Sequence, residues 1–342
     1  MLKLRDISKL ANVSPSAVSL VLHGKPGVGP EKRALIEQLL WENGYSILST
    51  KPLVKRISFL KYISNANAID SNPGFITAIM DAAELECRNN GYTLSIVTFT
   101  DISHIVSFVN SQELDGIILL GTEISEEDMH YFNALKAPCV VVDNLLASIP
   151  CHAITMDNYA SIFTCVEHLS RLGHSKIGFL RNKSARDCNC EVRMRAFIEA
   201  LNYYGLPYDP SLVYELDSTL NGSYTLTRNL LQNNVRFPSA LVASCDVAAL
   251  GALKAFEEFG IRVPQDISIT GFDDISFTEI SNPPLTTVKV PCADIGIWAV
   301  RLICQLAQNP NSPPLKLQLG TTFTVRESTA PYRGHSENPY IL

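Results

Sequence analysis

The sequence predicts a small all-helical head followed by a larger α/β body built on parallel sheets. Three observations carry this. Residues 4–23 repeat their apolar side chains at helical spacing in two short runs separated by a break. From residue 57 onward, short apolar runs alternate with amphipathic helical stretches, the pattern of parallel strands covered on both faces. Charge divides at the same place: residues 1–56 hold nine Lys/Arg against four Asp/Glu, and the remainder holds 19 against 30. A basic head on an acidic body suits phosphate contact by the head and repulsion of nucleic acid elsewhere, although a solvated basic helix would show the same charge.

In the head, Ile7, Leu10 and Ala11 make one helical face, and Val18, Val21 and Leu22 make the next. Asn12 between them tolerates the left-handed conformation that ends a helix. Ser14 is a good N-cap, and Pro15 suits the first helical position, where a missing N–H costs nothing. Two short helices joined this way form a helix-turn-helix, which lays its second helix in the DNA major groove. A plain helical hairpin is the alternative. HGKPGVG at 23–29 lacks the G-K-[ST] ending of a phosphate-binding loop and is a connection. Pro30 opens a third helix with Leu35, Ile36, Leu39 and Leu40 on its apolar face, and Gly44 stops it. Residues 46–56 form a linker containing Pro52, Lys51, Lys55 and Arg56.

In the body, strands are expected at 57–63, 92–99, 116–120, 139–142, 176–180, 240–243 and 267–270. Helices are expected at 74–90, 161–172, 191–204 and 248–259. Ligands of such sheets bind at the carboxyl ends of the strands. No cationic segment followed by an apolar run, and no apolar stretch near 18 residues, marks a secretory or membrane-spanning segment, so a cytoplasmic protein without membrane contact is expected. Nine scattered cysteines suit reduced thiols. Cys188 and Cys190 form a lone C-x-C without further metal ligands in spacing, so neither metal nor cofactor is expected. G-x-S-x-G, H-E-x-x-H and P-loop strings are absent, which argues against an enzyme.

Several strings, in this order, carry a likeness: the helix-turn-helix, HLSRLGHSKIGFL (168–180), RMRAF (193–197), VPQDISITGFDD (263–274) and PPLTTVKV (283–290). By them the chain resembles the lactose-repressor/galactose-repressor (LacI/GalR) family of bacterial transcription regulators, from residue 4 to 330. The resemblance implies a three-helix helix-turn-helix head and a periplasmic-binding-protein-like core of two parallel α/β subdomains linked by three crossovers. The implied division is a DNA-binding domain at 1–46, a hinge at 47–56, a core at 57–332 and a tail at 333–342. Within the core the N-subdomain takes 57–157 and 288–318, and the C-subdomain takes 158–287 and 319–332.

That resemblance puts operator contacts on Pro15, Ser16 and Leu20. Ser14, Ser19 and His23 are able to donate to phosphates or bases, and Ala17 or Leu20 to touch a thymine methyl. Leu20 stands where many members have arginine; packing within the head is its other reading. The family's Y-x-P-N-x-x-A-x-x-L hinge is replaced here by Tyr45 and SILSTKPLVKR, with Leu53 or Val54 as the remaining candidates for a minor-groove wedge. For a small-molecule effector, a sugar first, the implied positions are Phe75, Asp143, Arg193, Tyr224, Asp246 and Asp273. Carboxylates and a guanidinium make paired bonds to neighbouring hydroxyls, and Phe75 or Tyr224 covers a ring face. Asp246 and Asp273 are equally placed to cap helices, and Arg193 to be an exposed helix arginine. Cys245 and Val290 replace polar residues that some sugar-binding members carry.

The tail PYRGHSENPYIL has no heptads, so a homodimer on a near-palindromic double-stranded operator is expected, without a tetramer-forming coiled coil. The expected function is a sequence-specific repressor controlled by its effector. A regulator of the same fold answering to a nucleobase or a protein co-regulator is the alternative, and a sugar-binding protein without DNA binding is the alternative from another class.

Overall fold

A computed structural model describes residues 2–45, 55–63, 73–132, 134–182, 188–334 and 338–342. The chain separates into two units, Met1–Lys55 and Arg56–Leu342.

The first unit holds three helices, α1 (Leu4–Leu10), α2 (Pro15–Leu22) and α3 (Pro30–Glu42). Ser14 caps α2 by accepting the Ala17 amide at 3.2 Å, Pro15 occupies the first turn, and Asn12 turns the chain at φ +50°. Ile7, Ala11, Val18, Val21, Ile36 and Leu40 close a small core. Leu10 and Leu35, expected on the apolar faces, are 59% and 44% exposed. The inward face of α1 is set by the i, i+4 pair Ile7 and Ala11, and Leu10 falls on its flank.

The second unit carries two six-stranded sheets. In chain order its elements are β1 (Lys55–Tyr62), α4 (Pro73–Asn89), β2 (Tyr92–Phe99), α5 (Ser103–Ser111), β3 (Gly116–Leu120), α6 (Met129–Phe132), β4 (Cys139–Val142) and β5 (His152–Met156). Then follow α7 (Asn158–Arg171), β6 (Ile177–Asn182), α8 (Cys188–Tyr203), β7 (Val213–Leu216), α9 (Leu220–Gln232), β8 (Ala240–Ala243), α10 (Asp246–Glu258), β9 (Ser268–Asp273) and α11 (Phe277–Ile280). The chain finishes with β10 (Thr286–Lys289), α12 (Cys292–Gln308), β11 (Lys316–Leu319) and β12 (Thr322–Thr324). Sheet order is β11-β5-β4-β3-β1-β2 in the first sheet and β12-β10-β9-β8-β6-β7 in the second. Pairing is parallel from β11 through β5, β4 and β3 to β1, and in the second sheet everywhere except β10 with β12.

Central strands β3, β8 and β9 are buried along their whole length, which explains the continuous apolar runs GIILL and ALVA of the first two. The chain passes between the sheets three times, over 156–158, 289–292 and 319–322. These passages bring the carboxyl ends of both sets of strands to one cleft. Helix α12 lies on α4 so closely that a Cβ on Gly296 would stand 2.3 Å from the Ile79 carbonyl oxygen.

Candidate functional site

The cleft is built from residues just beyond strand ends. Asp143 follows β4 at φ +67°, and Asp273 and Asp274 end β9 at φ +120° and +57°. Three non-glycine residues in left-handed backbone at one cleft represent about 1–3 kcal/mol of strain each, which the surrounding structure must hold in place. A cavity of about 450 Å³ opens beside them, lined by Phe75, Asp273, Asp274, Lys289, Cys292 and Asp294 among others. Its size suits a small organic ligand.

Against this cavity lies a continuous polar chain. Thr122 Oγ1 donates to Asp143 Oδ2 at 2.6 Å. The Asn189 amide donates to the Asp143 carbonyl at 2.8 Å and to Asp143 Oδ1 at 2.9 Å. Asn158 Nδ2 donates to Asn189 Oδ1 at 2.9 Å, and Arg193 Nε to Asn158 Oδ1 at 2.8 Å. Arg193 also donates to the Ser244 carbonyl, lies 3.6 Å over the Phe272 ring and stands 4.0 Å from Asp273. Thr122 and Asp143 belong to the first sheet, whereas Asn189, Arg193 and Asp273 belong to elements of the second. The network therefore ties the two halves together across the cleft.

Of the six expected effector residues, Phe75 and Asp273 line the cavity, and Asp143 and Arg193 lie in the network joined to Asp273. Arg193 is buried rather than an exposed helix arginine. Asp246 does not face the cavity. It is fully buried, accepts the Thr287 hydroxyl at 2.5 Å and the Ile275 amide at 3.0 Å, and burial pushes its carboxyl up to about 6. It ties the loop after β9 to β10, a supporting place one residue past the strand-end position that Cys245 holds. Tyr224 is also not brought to the cluster. Its hydroxyl donates to Glu258 at 2.7 Å on the α9–α10 face, where it borders a separate apolar groove with Leu220, Phe277 and Ile280. Burial raises the Cys245 thiol to about 12, so it stays protonated and unreactive.

Thr122, Asn158 and Asn189 escaped sequence reading, as did Lys289, Asp274 and Asp294. Asn189 had a usable signal: it precedes Arg193 by four residues and so shares its helix face. Among the described residues no group of three His, Cys, Asp or Glu side chains is arranged to hold a metal ion, and no helix is long and apolar enough to cross a membrane.

In the head, Ser14, Pro15, Ser16 and His23 are exposed, and Ala17, Ser19 and Leu20 are half-buried. Ser14 and Ser16 hydroxyls meet at 2.8 Å, and His23 Nδ1–H donates to the Ser19 carbonyl at 2.8 Å. Leu20 leans toward the glycine loop, its Cδ1 3.5 Å from where a Cβ on Gly27 would stand. Leu53 and Val54 lie outside the described residues.

Two family profiles match the chain: the bacterial regulatory proteins of the lacI family over residues 3–46, and the periplasmic binding protein-like domain over 166–329. The chain belongs to the LacI family. Similar proteins span its whole architecture. The ribose operon repressor of Haemophilus influenzae is 28% identical over 96% of this chain and 98% of its own length. A lac repressor dimer solved bound to operator and the anti-inducer ONPF is 22% identical, with a TM-score of 0.77 over 96% of this chain and 99% of its own. A complex of the transcriptional regulator CelR with cellobiose is 24% identical, with a TM-score of 0.72 over 96% and 100%. This LacI-family chain is an effector-controlled DNA-binding repressor: a LacI-type helical head on a periplasmic-binding-protein-like core.

Proposed function

We propose that the cleft between the two sheets binds a sugar, and that its occupancy sets operator binding by a homodimer. The observation that carries this is the network from Thr122 through Asp143, Asn189 and Asn158 to Arg193 and Asp273, beside a cavity of about 450 Å³ under Phe75. The carboxylates of Asp273, Asp274 and Asp294 line a ring-sized opening, with the guanidinium and amides of the network behind Asp273; such groups bind adjacent hydroxyls in pairs, and Phe75 offers an apolar face to a pyranose or furanose ring. A ligand that contacts Asp143 and Asp273 together touches both halves of the core. Only such differential contact biases two arrangements of those halves. The relatives solved with operator or cellobiose support the same assignment.

The DNA-reading surface is the front of α2, with Pro15, Ser16 and His23 in reach of base edges and phosphates, Ser14 and Ser19 beside them, and Ala17 and Leu20 offering apolar contact. The basic residues Lys3, Arg5, Lys9, Lys25 and Lys32, all exposed, supply the salt-dependent share of affinity. A second copy is the natural cover for the apolar face formed by Leu220, Phe277 and Ile280, the last two 64% and 78% exposed. Two heads then address a near-palindromic site. A repressor of this kind works where the DNA is, in the cytoplasm.

The deciding experiment is a thermal-shift screen of the full chain against sugars, sugar phosphates and nucleosides, followed by operator-release assays with any hit. A sugar at about 100-fold above its Kd adds about 2.7 kcal/mol and raises the melting midpoint by several degrees. A hit confined to nucleosides, or a sugar whose effect survives Asp273→Asn and Phe75→Ala unchanged, would overturn the assignment.

A further inference from the structure

A second cavity, of about 410 Å³, lies at the opposite end of the second sheet from the cleft. Its walls include His174, Ser239 and Asp266, which precede β6, β8 and β9, whereas the effector cleft gathers the far ends of such strands. The C-terminal tail completes it. Ile341 is buried and bridges Phe237 in parallel; the Phe237 amide donates to the Tyr340 carbonyl at 2.7 Å, and the Leu342 amide to the Phe237 carbonyl at 2.8 Å. Tyr340 rests edge-on against Phe259 at 5.6 Å. The segment without heptads therefore has a place in the fold: it walls a cavity.

The charged side chains of that wall lean positive, two guanidiniums (Arg262, Arg333) against the Asp266 carboxylate. That carboxylate is committed. Asp266 takes the Arg262 amide at 2.8 Å, Arg262 Nε at 3.0 Å and Arg262 Nη2 at 2.8 Å. His174 is held between the Ser239 hydroxyl at 2.9 Å and the Ser268 hydroxyl and Ala330 carbonyl, both at 3.1 Å. The donors of the wall are largely open. Among the described residues, the Arg333 guanidinium, the Gln265 amide and the Tyr332 hydroxyl make no hydrogen bond, and the Arg262 guanidinium keeps N–H groups beyond its pair with Asp266. The Tyr332 ring, 5.7 Å from that of His174, adds an apolar wall.

We propose that this is a second ligand site, for a compact anion bearing carboxylate or phosphate groups. Arg333 supplies the unpaired charge and a planar fork that matches either group, Arg262 a second guanidinium edge, and Tyr332 and Gln265 neutral donors. The bound anion joins the tail to the loop at 262–266 and stabilises the fold from the end remote from the effector.

Titration calorimetry of the full chain with sodium citrate and with sodium phosphate, at ionic strength fixed by sodium chloride, tests this. Saturable binding of citrate or phosphate is expected, weakened about tenfold or more by Arg333→Gln, an exposed position whose loss leaves the ligand-free melting temperature unchanged, and weakened less by Tyr332→Phe. The cleft variant Asp273→Asn is expected to bind the anion as the parent does, which separates this site from the effector site. Absence of saturable binding of either anion up to about 10 mM, equal affinity in Arg333→Gln, or loss in Asp273→Asn would overturn the proposal.

Discussion

Arg193 joins Asn158, the Ser244 carbonyl, the Phe272 ring and Asp273 through one buried guanidinium. Replacing it with Ala leaves a buried carboxylate and amide without that partner, a change that costs about 3 kcal/mol. Arg193→Ala is therefore expected to lower the urea midpoint and to abolish the effector response while operator affinity stays near the parent's; a normal response in release assays removes Arg193 from the site. Asp246 and His174 give pH effects of opposite sign. Burial raises the Asp246 carboxyl to about 6, so the folded state prefers it protonated. Its cost to stability is full above that value and is relieved as pH falls toward the unfolded carboxylate range. Burial lowers the His174 imidazole, so its neutral form is favoured in the folded state, and that stability is present above pH ~6.5 and lost below it. Asp246→Asn keeps both hydrogen-bond partners once the Thr287 hydroxyl accepts instead of donating. Denaturant titrations from pH 7 to 4 are expected to show a steeper acid loss in this variant, because the relief from Asp246 is gone and the His174 loss remains.

At the scale of elements, close backbone approach decides which helices pair. Gly296 on α12 faces the Ile79 carbonyl oxygen of α4, and Gly251 on α10 faces the Ser223 side chain and Tyr224 amide of α9, with the positions of an added Cβ at 2.3 Å and 2.6–2.7 Å. In both cases a side chain has nowhere to go without moving a helix. Gly296→Ala is expected to cost about 1–3 kcal/mol despite the better helix propensity of alanine, measured as a lower melting temperature. A neutral or stabilising result would mean that α4 and α12 slide apart freely. The helices themselves were legible where their period was strong, as in the head and in α4, α8 and α10. The seventeen-residue α12 was missed although its buried Ile295, Ala299, Leu302, Ile303 and Leu306 recur at helical spacing, and so were α5, α9 and the short strands β5, β7, β10, β11 and β12.

For the whole molecule, the two units divide the work: the basic one reads DNA and the acidic one binds effector and, in the reading proposed above, the second copy. Deleting residues 1–56 is expected to eliminate operator binding by gel shift while sedimentation still reports a dimer and calorimetry still reports effector binding. Retained specific DNA binding would sink this division. The exposed Phe277 and Ile280 lie in the second unit, so the expected dimer survives the deletion.

Local periodicity, capping chemistry and charge along the chain were enough for the helical head, the alternating α/β body and the division between them, since each depends on residues within a turn or a strand of one another. Four cleft residues, Phe75, Asp143, Arg193 and Asp273, were reachable through family strings. Tertiary structure alone decided the rest. Asp246 and Cys245 are adjacent at a strand end, and the rotation of the first turn of α10 determines which one is buried as a tie. Tyr224 sits on a helix whose partner, α10, takes its hydroxyl away from the cleft. Asn189 meets Asp143 only because the sheets bring positions 46 apart in sequence to one cleft. The direction of a side chain depends on how whole elements pack, and that packing is set by contacts far apart in sequence.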